Sequence, residues 1–157
     1  MVFFLFPAVA WLTAAARVFF LEGDARTGHT ILEMFLLHSL VVIAGAGGFF
    51  FFSGHMFNSQ RIAHGIGWRA GSPFQKEVAV ANLVFGVLGI LCIWFREGFW
   101  IATTIGFSVW LLGAGMVHVR EMVRHGNRQP LNAGAILFFD IGIPVVLLAL
   151  LIAYRLT

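Results

Sequence analysis

Residues 133–154 read AGAILFFDIGIPVVLLALLIAY, and this stretch decides the fold class. One charged side chain, Asp140, interrupts twenty-two residues. An α-helix needs about 20 mostly apolar residues to cross the hydrocarbon core of a bilayer. The apolar residues run continuously instead of alternating, which argues against a membrane strand. Four similar runs precede it, at 2–21, 30–52, 74–95 and 99–119. The chain of 157 residues is therefore expected to be all-α, a single domain over 1–157 formed by a bundle of five transmembrane helices.

Composition points the same way. Hydrophobic residues make up 60% of the chain and charged residues 11%, against roughly 25% charged in a soluble domain. Mean hydropathy is +0.92. These values exclude a soluble fold, a disordered chain and a nucleic-acid-binding domain. The net charge of +3 is no sign of nucleic acid, because the basic residues sit at the ends of apolar runs. The one cysteine, Cys92, lies inside an apolar run and has no partner for an intrachain disulfide. The chain lacks a phosphate-binding glycine loop, a nucleophile elbow, a zinc-protease helix and a Cys-x-x-Cys pair.

The first run has no basic region before it, so it reads as a retained helix and not a signal peptide. Arg61, Arg69, Lys76, Arg120, Arg124 and Arg128 fall on the side of the N-terminus, and Arg17, Arg26, Arg96 and Arg155 on the other. The positive-inside rule then places the N-terminus in the cytoplasm and the C-terminus outside.

Between the second and third runs, residues 53–73 form the longest connection. Its end, Gly71-Ser72-Pro73-Phe74-Gln75, has the pattern of a capped helix start: Ser72 as cap, Pro73 at the first helical position and Gln75 closing a capping box. Trp68 is placed as an interfacial aromatic. Asn132, after Gln129-Pro130, is placed as the cap of the fifth helix. Ala44 and Gly48, four apart, mark a surface on which a neighbouring helix approaches closely. Glu33 is expected to be solvated or paired with Arg26 or Arg96.

Ionisable groups at membrane depth are costly, so each marks a candidate site. Arg61, Pro73, Arg124 and Asn132 serve as markers of one interface. His55 lies six residues inside Arg61, Asn82 nine inside Pro73, His118 six inside Arg124 and Asp140 eight inside Asn132. At the helical rise, all four sit roughly 9–13 Å below that interface, on four different helices. Pro144 follows Asp140 by four residues and has no N–H, so the Asp140 carbonyl loses its helical partner. Glu121 follows His118 by three residues, which allows both to face one site. Glu77 lies in the first turn of the third helix, where the helix dipole favours an acid. A ligand site would be lined by His55, Asn82, His118 and Asp140, with Glu77 and Glu121 at its mouth. A metal ion would take His55, His118 and Asp140, and a haem would lie between His55 and His118.

Ile66-Gly67-Trp68, Gly71-Ser72-Pro73-Phe74-Gln75, Glu77-Val78 and Ala81-Asn82 resemble the signature of an uncharacterised family of small bacterial and archaeal multi-pass membrane proteins. Gly54-His55, His118 with Glu121, Asn132 with Gly134, and Asp140 with Pro144 extend the resemblance over most of the chain after about residue 30. It implies a shared helical membrane fold, a bacterial or archaeal cytoplasmic membrane as the setting, and no known activity, since the family is labelled a domain of unknown function. The family pattern has acidic residues between the Gly-His and Ile-Gly-Trp elements. Residues 56–65 here contain none, which argues against a carboxylate-rich metal site in that connection.

Two functional readings follow. In the first, the polar layer binds an ion, a metal or a small molecule, as in a metal-dependent or redox membrane enzyme or a proton-coupled carrier. Histidine is suited to moving a proton near neutral pH. In the second, the chain is a non-catalytic accessory subunit whose polar layer fixes helix packing. Its eighteen Phe residues suit contact with the lipid bilayer and with a homo-oligomer or larger membrane complex.

Overall fold

A computed structural model describes residues 2–157. Among them are six helices and no strand. They are α1 (Leu5–Phe19), α2 (Gly28–Phe57), α3 (Ser59–Ile66), α4 (Phe74–Leu91), α5 (Gly98–His125) and α6 (Ala135–Leu156). A 3-10 turn, Val2–Phe4, leads into α1, and a helical turn, Pro130–Ala133, leads into α6. With those turns included, five segments are long and apolar enough to span a membrane: Val2–Phe19, Gly28–Phe57, Phe74–Leu91, Gly98–His125 and Pro130–Leu156. The chain is a multi-pass helical membrane protein.

The helices begin and end where local chemistry permits. Arg26 closes α1 by donating to the carbonyls of Phe19 and Leu21, which the helix end leaves free. Thr27 opens α2, its side chain accepting from the Thr30 N–H at 3.1 Å. Hydropathy marks the span of a helix but not its ends, and two helices outrun their apolar cores. α5 continues through Arg120, Glu121 and Arg124 to His125 before Gly126 turns it off at φ 63°. α2 continues to Phe57, because nothing between 52 and 57 breaks it. The 53–73 connection is accordingly mostly helical. In α3, Ala63 and Ile66 are buried while Arg61 and His64 face outward. Gly67, at φ 86°, ends α3, and the N–H groups of Gly67 and Trp68 both reach the Ala63 carbonyl.

Two expected caps are not made. The Ser72 side chain accepts no capping hydrogen bond from α4, and Gln75 instead donates its Nε2 to the Ser59 carbonyl at 2.6 Å. That bond ties α4 to the start of α3. Asn132 does not cap α6, whose N-cap is Gly134, because its side chain is drawn towards α5.

The tightest crossing joins α2 and α4. A Cβ added at Gly48 would lie 2.5 Å from the Gly86 nitrogen and 2.7 Å from the Asn82 carbonyl oxygen. Gly89 meets the backbone of Gly45 in the same way. Small residues thus let the two backbones touch, as in close membrane crossings. The stretch Leu40–Ala46 of α2 is wound as a π-helix beside this contact. α5 lies along α6, and Ile43, Phe107, Leu111, Ile143 and Leu147 form the core between them and α2. A second core, with Leu36, Leu40, Trp100 and Tyr154, fills the opposite end. There Glu33 pairs with Arg96, and Glu97 with Arg155 at 3.0 Å.

Candidate functional site

The end of the bundle that carries α3 holds three buried polar side chains that approach one another, His118, Asn132 and Asp140. His118 is one turn past Gly115 on α5, and Asp140 is one turn before Pro144 on α6. A Cβ at Gly115 would lie 3.4 Å from the Asp140 Cβ and 3.3 Å from Ile141 Cγ1. The glycine therefore allows α6 to lie against α5 at this level. His118 Nε2 then stands 3.6 Å from Asp140 Oδ2, with both residues buried.

The other ring nitrogen is held by Asn132, which is fully buried. His118 Nδ1 lies 2.8 Å from Asn132 Oδ1. The Asn132 Nδ2 donates to the carbonyls of Asn127, at 2.9 Å, and His118, at 3.3 Å. Its Oδ1 is therefore the acceptor, and the proton of this bond sits on His118 Nδ1. The proline-led turn Pro130–Ala133 carries Asn132 back beneath the end of α5. Asn127, in the same connection, donates to the Ile66 carbonyl at 2.8 Å and so fixes the end of α3. The next residues bring Trp68 over the histidine, with ring centroids 6.3 Å apart and planes 18° from parallel.

The other expected site residues lie elsewhere. Asn82 is buried, but its Nδ2 donates to Val78 of its own helix at 2.8 Å, within the α2–α4 crossing. The Nδ1 of His55 is buried without a partner, and among the described residues no hydrogen bond or ion pair joins His55 to His118 or Asp140. Glu121 turns away from His118 to pair with His125, four residues on, at 3.1 Å. Glu77 is exposed on α4. A metal at His55, His118 and Asp140 does not fit this arrangement: among the described residues, no three or more His, Cys, Asp or Glu side chains are grouped to hold an ion. His118 and Asp140 alone supply two donors.

Asn132 is the member of the cluster that the sequence assigned to a different task. Its signal was present, since a short connection rich in Asn and Gln between two long helices must satisfy their free ends. Trp68 likewise was placed by depth alone. Two further buried hydroxyls on α5, Thr104 and Ser108, have no hydrogen-bond partner. They fall on the face of α5 that bears Gly115 and His118, deeper in the bundle.

A family described as a family of unknown function, DUF6790, matches residues 1–157. No curated protein and no solved structure matches the chain.

Proposed function

The chain belongs to DUF6790, a family of unknown function, and we propose that its His118–Asp140 pair is a proton-binding site inside a multi-pass membrane protein. The observation that carries this reading is the buried approach of Nε2 to Oδ2 at 3.6 Å while Asn132 holds Nδ1. With the Nδ1 proton committed, Nε2 is the one free basic atom of the ring, and it faces a carboxyl group. The two share one exchangeable proton. Placed on Nε2, it makes an imidazolium beside a carboxylate; placed on Oδ2, it makes an imidazole beside a carboxylic acid. Both arrangements carry the same net charge. Removing the proton leaves a carboxylate alone at membrane depth, which is costly.

Packing also selects the smallest ligand. Gly115, Ile141 and the stacked Trp68 crowd the pair, and two surface hollows lie away from it, at Arg69–Ser72 and Phe57–Arg61. A proton needs no cavity. The gap exceeds the reach of an N–H···O hydrogen bond, so direct transfer requires α5 and α6 to close by about half an ångström. Occupancy of the site is thereby coupled to the packing of these two helices.

A second reading, that of a packing lock in an accessory subunit, draws on Asn132. Two of its three polar contacts reach His118 on α5 and the third reaches Asn127 in the connection, and none needs an exchangeable proton. Nitrogen NMR of labelled histidine, in lipid nanodiscs, separates the two. The proton-site reading expects the His118 ring-nitrogen signals, assigned by their loss in His118→Gln, to differ between wild type and Asp140→Asn. A ring whose state is the same in both proteins at every pH refutes that reading and leaves the lock.

A further inference from the structure

The two ends of the bundle differ in how their charges are used. The end that carries α3 holds six basic residues, Arg61, Arg69, Lys76, Arg120, Arg124 and Arg128, against two acidic ones, Glu77 and Glu121. All six cations are exposed, and among the described residues none of them enters an ion pair. Glu121 is taken by His125. The opposite end balances four basic with four acidic residues, and there Arg96 and Arg155 are paired with Glu33 and Glu97. One end is therefore electrically self-contained, and the other presents a ring of unneutralised positive charge.

That ring lies at the level where the spans leave the hydrocarbon. Phe57, Trp68 and Phe74 are exposed beside it, at the ends of α2, α3 and the start of α4. Aromatic side chains in that position belong at the headgroup boundary. Two surface hollows open in the same stretch of chain. One of about 270 Å³ is lined by Arg69, Ala70, Gly71 and Ser72, and the other, of about 400 Å³, by residues 57–61 with Arg61. Each hollow presents one guanidinium at headgroup depth, and arginine's planar fork matches phosphate oxygens.

We propose that the α3 end of the bundle is a binding surface for anionic phospholipid headgroups, with Arg69 and Arg61 each seating a lipid phosphate in its hollow. Charge complementarity selects the lipid, and the flanking aromatics select its depth. Basic residues next to a membrane surface each strengthen such binding about fivefold. This proposal rests on the membrane placement of the helices and is independent of the buried His118–Asp140 pair.

The test reconstitutes the full chain in nanodiscs of phosphatidylcholine with a minority of phosphatidylglycerol and counts retained lipids by native mass spectrometry. Wild type is expected to retain phosphatidylglycerol well above its share of the bilayer. Arg61→Gln and Arg69→Gln each lower that enrichment about fivefold. Arg61→Lys and Arg69→Lys keep most of it, and Arg17→Gln, at the opposite end, leaves it unchanged. Because both Gln variants alter exposed side chains, each is checked for wild-type melting in pure phosphatidylcholine, and the Lys variants supply folded controls. Retention at the bulk ratio overturns the proposal, as does equal loss in Arg17→Gln. Displacement of the lipid by millimolar inorganic phosphate assigns the hollows to a free anion and also overturns it.

Discussion

Replacing Asn132 by alanine removes the clamp on His118 without touching the ring itself. Three contacts go: His118 Nδ1 to Oδ1 at 2.8 Å, and Nδ2 to the carbonyls of Asn127 and His118 at 2.9 and 3.3 Å. The first leaves a buried N–H without an acceptor, and an orphaned buried group costs about 1–3 kcal/mol. Polar contacts between membrane helices average nearer about 0.6 kcal/mol, because the unfolded chain in a membrane also finds partners. Taking the orphaned N–H near the low end of its range and the two carbonyls at the membrane average gives a loss of about 2–3 kcal/mol. Reversible unfolding in mixed micelles with increasing dodecyl sulfate measures it. The same variant carries a chemical signature that a plain packing defect lacks. With no acceptor at Nδ1, the imidazole proton is free to occupy Nε2, so the neutral ring changes tautomer, and labelled-histidine NMR reads the change. An Asn132→Ala protein with wild-type unfolding and an unaltered His118 tautomer refutes the assignment of Asn132 as the residue that orients the ring.

Other parts of the fold give sharp expectations. At Gly48, alanine puts a methyl 2.5 Å from backbone of α4, which no side-chain rotation relieves, so Gly48→Ala should lower unfolding stability by about 3 kcal/mol in the same micelle assay. Glu97 sits at φ 51°, ψ −114°, the first central position of a tight turn closed by Phe99 N–H to the Arg96 carbonyl at 3.0 Å, a place suited to glycine. Glu97→Gly relieves about 1–3 kcal/mol of strain. It forfeits an exposed ion pair worth at most about 1 kcal/mol. Glycine's greater freedom in the unfolded chain costs a further ~0.5–1 kcal/mol. With the strain near the middle of its range, a net gain of several tenths of a kcal/mol remains, expected as a raised unfolding midpoint. Gln75→Leu cuts the tie between α4 and the Ser59 carbonyl, and faster amide hydrogen exchange confined to α3 is the expected result.

Hydropathy carried the five spans because lipid contact selects apolar residues over the whole crossing, and 133–154 alone sufficed to set the class. It did not carry the helix ends. Backbone hydrogen bonding continues past the last apolar residue unless something stops it, so α5 reaches His125 and residues 59–66 form a helix of their own. Depth counting put His118 and Asp140 in one layer, and the two meet. The same counting included His55 and Asn82, which do not join them: Asn82 bonds to Val78 of its own helix and the buried Nδ1 of His55 has no partner. Rise along a helix fixes depth but says nothing of azimuth, and azimuth depends on which helices are neighbours. Asn82 faces α2 because Gly45, Gly48, Gly86 and Gly89 bring α2 and α4 together, a pairing that requires both partners of the crossing to be known. Glu121 shows a related limit: a spacing of three toward His118 competed with a spacing of four toward His125, and the exposed pair formed. Ser72 and Asn132 looked like caps because short polar residues beside helix starts usually are, yet Asn132 satisfied the buried histidine instead.

The central claim is one exchangeable proton shared by His118 and Asp140. Infrared difference spectroscopy across a pH step, on the full chain in lipid, tests it most directly. The account predicts a carboxyl band that disappears in Asp140→Asn and, in His118→Gln, persists with a shifted midpoint. A wild-type difference spectrum identical to that of Asp140→Asn would contradict it.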